Sequence, residues 1–491
     1  MSGATDRAAR QAAPPAADHF PKVALRRLWL TAAAGDDAPG PRYFAFAIQQ
    51  HRADMLEKSG EWEASEAVCA KCVEWCRRSG QRSQLSEAIL RLSRLRQYRG
   101  KGEGQLAMVS EALAIAQSLN DEGSVIRGHV NLGQVHFFEG RLEAAAASYQ
   151  TAIELAERCG RERLSISALG NLAQVQMLQG DYERAIATNQ RVIALSQKYG
   201  DDEHTATAQC NLGNVYFYQS RYDLAMECYQ YQAAQFRRSG NIHGYSVAAG
   251  NIGNIHYLTG DPGRAMERYR EKLRLSERLG FSTGIAQALG NIANVLQDAG
   301  DLDGAIECDR RVCAIADQSG EAELRASGRI DLGTLLSYKG DLPGARELLD
   351  QAVEISRAAG VAYDVAMSLV KRSEVRLRQG DQAGARQDAL DGRAAAERIG
   401  DEELALEGAL AAAKAAGDHG QRVAEIEPLA GRYSGDLFQS MIFYELYRQT
   451  GMEGHRLRAL ELCRRLEHGQ STHLNRQRLA DLERAAGAGR P

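Results

Sequence analysis

Nowhere in this 491-residue chain does an apolar run approach the eighteen residues that a membrane-spanning helix needs, which argues against an integral-membrane protein. Nor does one sign of charge dominate. The 60 lysines and arginines meet 64 aspartates and glutamates, a formal charge of −4 that gives no general pull toward nucleic acid or an anionic bilayer. The nine cysteines are odd in number and scattered, which suits a reducing cytosol better than a disulfide framework. No phosphate-cradling glycine loop is present, because the regularly spaced glycines follow helical patterns and no strand precedes them. A Gly-x-Ser-x-Gly nucleophile turn is also missing. Cys69, Cys72 and Cys76 share one helical face, but no second cysteine or histidine pair follows at zinc spacing, and the adjacent Trp75 points to packing. His129 and His136 lack a neighbouring carboxylate or cysteine and read as core or groove polarity. The expectation is a cytoplasmic, non-catalytic protein without cofactor or metal.

What the chain does have is glycine on a grid of twenty. Gly60, Gly80, Gly100, Gly140 and every twentieth residue from there to Gly400 obey it, with Asn120 and Ser220 as the two replacements. Asparagine is the next-best residue at positive φ. Between the beats lie stretches of apolar side chains at helical spacing, so the reading is helix, tight turn, helix at a period of forty. Such a period predicts an all-α fold, a right-handed α-solenoid of stacked antiparallel helix pairs in which each unit buries its apolar faces against its neighbours. Gly180-Asp181, Gly260-Asp261, Gly300-Asp301, Gly340-Asp341 and Gly380-Asp381 each place a cap for the next helix directly after the turn.

The organisation that follows has four parts. Residues 1–42 form a tail and lead-in. It reads as disordered and rich in alanine and proline, with an organelle-targeting segment as the alternative. Residues 43–120 hold two degenerate units, 121–400 seven regular ones, and 401–491 a divergent helical cap that covers the last exposed apolar face.

A second periodicity lies on the first. Asn131, Asn171, Asn211, Asn251 and Asn291 occupy one position of five successive repeats, followed by Asp331. Three residues later stand Gln134, Gln174, Asn214, Asn254 and Asn294, then Thr334. A spacing of three puts both on one helix face. A carboxamide carries both donor and acceptor, which matches the N–H and C=O of a peptide backbone, so rows of amides hold an extended chain without reading its sequence. With neighbouring helices roughly 10 Å apart, five rungs span about 40 Å, room for on the order of a dozen extended residues. Gly170, Gly250 and Gly290 remove side chains between the rungs. Phe137, Phe217 and Tyr257, one turn further on, are candidate pockets for ligand side chains. Arg91 and Arg94 take the two ladder positions in the second unit and suggest an electropositive end. The alternative for the amides is an internal ladder bonding one helix to the next, and both roles can coexist.

The pattern Leu132-Gly133, Ala145, Tyr149, Ala152, repeated with small residues at Ala173, Gly213, Gly253, Ala293, Gly333 and Ser373, resembles the tetratricopeptide repeat. Most such units have about 34 residues; these have forty. The runs Asn211-Leu212-Gly213-Asn214, Gly250-Asn251-Ile252-Gly253-Asn254 and Gly290-Asn291-Ile292-Ala293-Asn294 resemble, over roughly residues 123–360, the repeats of the Pins/LGN-type cell-polarity adaptors. That resemblance implies extended-peptide binding through the asparagines just named. The G-protein-binding motifs that end those adaptors have no counterpart after Gly400, and the alanine, arginine and glycine richness is similar to bacterial sensor and regulator chains. Peptide binding carries over and the polarity pathway does not. The expected partner is therefore a protein or an extended peptide, with no nucleic acid or membrane, and the chain is a candidate subunit of a larger complex. The competing reading is a regulatory subunit that clamps a folded effector, such as a protease or kinase, through its convex face and C-terminal cap.

Overall fold

The computed structural model describes residues 41–58, 61–98, 104–467 and 473–488. The N-terminal lead-in up to residue 40, and Gly60 and Gly100 of the glycine series, lie outside the described residues. Two compact units divide the chain at Arg161 and Glu162. Regular structure among the described residues is helical throughout.

The first unit contains Pro41–Lys58, Trp62–Ser79, Arg82–Tyr98, Gln105–Ser118, Glu122–Phe138 and Leu142–Arg158. The second opens with the 3-10 turn Glu162–Leu164 and continues through the pairs Ser165–Leu178 with Tyr182–Lys198, Asp202–Tyr218 with Tyr222–Ser239, and Ile242–Leu258 with Pro262–Leu279. Ser282–Asp298 with Leu302–Ser319, Ala322–Lys339 with Leu342–Ala359, and Ala362–Arg378 with Gln382–Ile399 complete the regular run. Helices Glu402–Lys414, His419–Ile426, Leu429–Arg432, Asp436–Thr450, Glu453–Glu467 and His473–Ala488 follow. Within each unit every helix packs on its neighbours in sequence, and first helices of consecutive pairs also touch, as Ile242–Leu258 touches Ser282–Asp298. This is an α-solenoid.

The turns behave as the glycine grid requires. From Gly140 to Gly400 each grid glycine has positive φ, 61° to 96°, and the two replacements share the conformation, Asn120 at 50° and Ser220 at 58°. Asp181, Asp261, Asp301, Asp341 and Asp381 each accept a hydrogen bond from the backbone N–H three residues on, closing the first turn of the following helix.

The interior is built from small residues. Ala145, Ala185, Ala225, Ala265, Ala305, Ala345 and Ala385 are fully buried. They are not, however, what the first-helix glycines chiefly face. A Cβ at Gly133, Gly213 or Gly253 would stand 2.5, 2.7 and 2.7 Å from the rings of Tyr149, Tyr229 and Tyr269. Where the first helix carries Ala173 or Ala293 instead, the tyrosine position holds the smaller Asn189 or Asp309. Volume is exchanged between the two helices of a pair, with glycine opposite tyrosine and alanine opposite a short polar residue, as close packing demands.

Candidate functional site

Each amide in the rows sits mid-helix on a first helix, so its direction is fixed by that helix's packing. In the second unit the rows interlock in part. Gln174 Nε2 donates to Asn211 Oδ1 at 3.3 Å, Asn291 Nδ2 to Asn254 Oδ1 at 3.3 Å, and Asn251 Nδ2 to Cys210 Sγ at 3.6 Å. Asn211 is buried, whereas Asn294 is exposed and Asn171, Asn214, Asn251, Asn254 and Asn291 are half-buried. Part of the ladder is therefore internal, bonding one first helix to the next, and part keeps its amides partly open to solvent.

Buried tyrosines set the orientation of two amides. Tyr229 donates its hydroxyl to Asn214 Oδ1 at 2.8 Å, and Tyr269 donates to Asn254 Oδ1 at 2.9 Å. Burial pushes both phenols upward, so they remain neutral donors. With each Oδ1 engaged, the NH2 groups of Asn214 and Asn254 remain as donors. Gly170 and Gly290, next in sequence to Asn171 and Asn291, face open space, with no heavy atom within 4 Å of where a Cβ would stand. Gly250 does not leave such a gap, because Lys272 from the second helix lies over it.

The equivalent junction one repeat on is acidic. Tyr269, Asn254 and Asn291 meet through the two bonds above, and the same three positions are then Asp309, Asn294 and Asp331. Asp309 is 3% exposed, and burial together with Asp331 raises its carboxyl to about 8. Asp364, also buried, has a carboxylate oxygen without a hydrogen-bond partner.

The aromatic candidates divide. Tyr257 donates to Asp298 Oδ2 at 2.7 Å and lines a cavity of about 830 Å³ together with Val295, Leu302, Tyr338 and Gln477. Phe217 turns inward against Tyr222, centroids 5.8 Å apart, and joins the core around Ala225 and Tyr229. Tyr218, the next residue, is the one presented to solvent, at 60% exposure. A second, charged cavity of about 440 Å³ opens where Asp436–Thr450 and His473–Ala488 meet Lys371, Glu374 and Glu407, with Lys371 paired to Glu407 at 3.1 Å.

In the first unit, Asn131 and Gln134 are half-buried on Glu122–Phe138, and the backbone carbonyl of Gln134 accepts from Gln97 at 3.3 Å. Phe137 is half-buried, edge-on to the exposed Phe138 at 5.7 Å. At the expected electropositive end both guanidiniums have partners. Arg91 donates through Nε to Glu57 at 3.0 Å and through Nη1 to the Gln50 carbonyl at 2.9 Å, and Arg94 reaches the same Glu57 at 3.4 Å. One carboxylate from the preceding helix pair engages both guanidiniums. Cys69, Cys72 and Cys76 are buried in the apolar core with Val68 and Val73, and burial raises the Cys69 and Cys76 thiols to about 11. No helix among the described residues is long and apolar enough to cross a membrane.

Sequence reasoning missed Lys272 and the meaning of Asp309. Aligning the second helices at forty residues carries the signal. Lys272 stands where Ala152, Val192, Val312 and Ala352 stand in other repeats, and Asp309 where Tyr149, Tyr229 and Tyr269 do.

Comparisons with known proteins agree with this architecture. Models of the tetratricopeptide repeat match residues 126–159, 164–231, 206–278 and 284–358, so this stretch of the chain is built of tetratricopeptide repeats. No curated protein matches the chain. Among solved structures, the apo form of the quorum sensor NprR from B. thuringiensis is 14% identical, with a TM-score of 0.51, covering 70% of this chain and 98% of that one. A Rap protein complexed with Competence and Sporulation Factor is 15% identical, with a TM-score of 0.46, over 69% and 99%. A signal-transduction ATPase with a tetratricopeptide repeat sensor from Pyrococcus horikoshii is 13% identical, with a TM-score of 0.49, over 77% and 52%.

Proposed function

We propose that this array of tetratricopeptide repeats is a non-catalytic interaction protein that holds an extended peptide segment of a partner along the amide rows of its first helices. The observation that carries the reading is the pair of tyrosine-buttressed amides. Asn214 and Asn254 have their oxygens fixed from behind by Tyr229 and Tyr269, so their NH2 groups are pre-aimed donors for backbone carbonyls. The open glycines at 170 and 290 admit a chain close to the helices, and Tyr218 and the cavity beside Tyr257 offer apolar seats for its side chains. The likeness to the quorum sensor NprR supports the fold that this reading needs.

The test is a selection of random dodecapeptides on the full chain, followed by binding to Asn214→Ala, Asn254→Ala, Asn294→Ala combined. Asn294 is exposed, whereas Asn214 and Asn254 are half-buried acceptors of Tyr229 and Tyr269, so binding is measured below the melting transition of the variant itself; affinity is expected to fall at least about a hundredfold if each lost hydrogen bond is worth ~1 kcal/mol. Retention of affinity by the triple variant overturns the reading and favours a folded partner held elsewhere on the surface.

A further inference from the structure

The amide rows stop at the last regular pair. In register at forty residues, the two row positions of Ala362–Arg378 hold Lys371 and Glu374 in place of amides. Here the final helices meet the repeats, and the two walls enclose the charged cavity of about 440 Å³, within the ~300–1,000 Å³ typical of small-molecule sites. One wall, from Ala362–Arg378 and Glu402–Lys414, carries Lys371, Glu374, Glu407 and Lys414. The other, from Asp436–Thr450 and His473–Ala488, carries Glu445, Arg448, Arg478 and Asp481. Four cations and four carboxylates line the space, so the cavity as a whole favours neither sign.

Most of these charges are answered from within. Lys371 meets Glu407 at 3.1 Å, and Lys414 meets the buried Glu445 at 3.4 Å. Asp481 accepts from Tyr444 at 2.8 Å and from Arg484 at 2.5 Å. Three groups are left over. Glu374, half-buried on the repeat wall, has no hydrogen bond or ion pair among the described residues, and neither has Arg478, half-buried on the opposite wall. Arg448, on the same wall as Arg478, stands over the Tyr444 ring at 5.9 Å and pairs with no carboxylate among the described residues. Burial draws the Arg478 guanidinium below its ordinary range, as expected of a charge taken from water with no counter-ion in contact. The residual charge is therefore negative on one wall and positive on the other. A simple anion would leave Glu374 unanswered, and a simple cation would leave both guanidiniums so. No group of carboxylates suited to a metal ion occurs among the described residues. Leu410 and Met441, both buried, add apolar lining for the body of a ligand.

We propose that this cavity binds a small zwitterion of amino-acid or dipeptide size, with its ammonium received by Glu374 and its carboxylate by Arg478 and Arg448. A guanidinium presents a planar fork that matches a carboxylate in two parallel hydrogen bonds. A ligand held at both ends ties the last regular pair to the final helices. The site lies beyond the amide rows and stands whether or not they hold a peptide.

The experiment is calorimetric titration of the full chain with each proteinogenic amino acid and each glycyl dipeptide. At least one zwitterion should bind, and the series that binds separates the two sizes. Its N-acetyl derivative lacks the ammonium and its C-terminal amide lacks the carboxylate, so each should bind at least about tenfold more weakly. Glu374→Gln and Arg478→Met should each weaken the parent zwitterion by a similar factor, and Glu374→Gln should no longer discriminate against the N-acetyl form. The derivatives are compared on the unaltered chain, so the test stands even where a variant fails to fold. The combined Asn214→Ala, Asn254→Ala, Asn294→Ala chain should bind the zwitterion as the parent chain does, which separates this site from the peptide-holding reading. Absence of binding in both series overturns the site. So does a derivative that binds as well as its parent zwitterion, or an affinity unchanged in both Glu374→Gln and Arg478→Met.

Discussion

Ser220 is the residue whose backbone is least at home in its place. It holds φ 58° at a grid position where the regular repeats otherwise have glycine, and its neighbours there make no special claim on a hydroxyl. A left-handed residue with a Cβ costs roughly 1–2 kcal/mol, partly offset by the greater unfolded-state freedom that glycine brings. Ser220→Gly is therefore expected to stabilise the protein by about 0.5–1 kcal/mol, read as a rise in the denaturant midpoint. No rise would mean that the turn after Asp202–Tyr218 is relaxed with serine. Asp309 is a buried carboxyl with a pH signature. Folded, it keeps its proton up to about pH 8; unfolded, it releases it near 3.8. The folded chain thus binds the extra proton between those limits, so the contribution of Asp309 to stability is lost as pH rises through the window. Asp309→Asn cannot ionise, so it should melt above the parent at pH 8 and converge with it near pH 4. Equal melting of the two at pH 8 would show that Asp309 ionises in the fold without cost.

At the scale of the helix pair, glycine opposite tyrosine makes a sharper claim than helix propensity does. Alanine is ordinarily the better helix former by roughly 1 kcal/mol, yet at Gly213 the new Cβ would lie 2.7 Å from Tyr229 and 3.1 Å from the Cβ of Cys228. Gly213→Ala should destabilise by about 1–3 kcal/mol through overpacking, in opposition to propensity, and calorimetry distinguishes the two signs. The same pairs show what could be read in advance. Helix limits, turns and aspartate caps were legible because each is a local signal repeated at a fixed interval. The partner of Gly213 was not, since Ala225 and Tyr229 are both buried second-helix residues and only the packed pair decides which one faces the glycine. Phe217 and Tyr218 posed the same difficulty: they differ by about 100° around one helix, and the bend toward Tyr222 determines which is hidden.

At the scale of the whole chain, the amide rows were visible as a periodicity but their division of labour was not. Interlocked and solvent-facing amides are the same residue type, and partners on other helices, such as Tyr229 and Tyr269, decide how each is held. Arg91 looked like a free cation because Glu57, some thirty residues earlier, belongs to a degenerate pair whose spacing gives no cue. Lys272 was hidden for the opposite reason, placed among second-helix core positions where a charge is not sought. The helices after Gly400 carry no period at all, so their packing around Leu406, Ile426 and Ile442 had no sequence signature beyond apolarity.

The uniform joints have one further outcome, for how such a chain can change length. From Asn120 to Gly400 every described helix pair leaves through a left-handed residue, and five of the seven second helices between Leu142 and Ile399 enter through an aspartate cap. Loss or duplication of forty residues would splice like to like, restoring cap, alanine contact and amide in phase. A change of twenty would put a second helix where a first belongs and bring Thr151, Arg191, Glu271 or Arg311 into the amide rows, and any other number would rotate the faces out of alignment. Growth and shrinkage of this molecule are thus quantised, and its length can change only in whole steps.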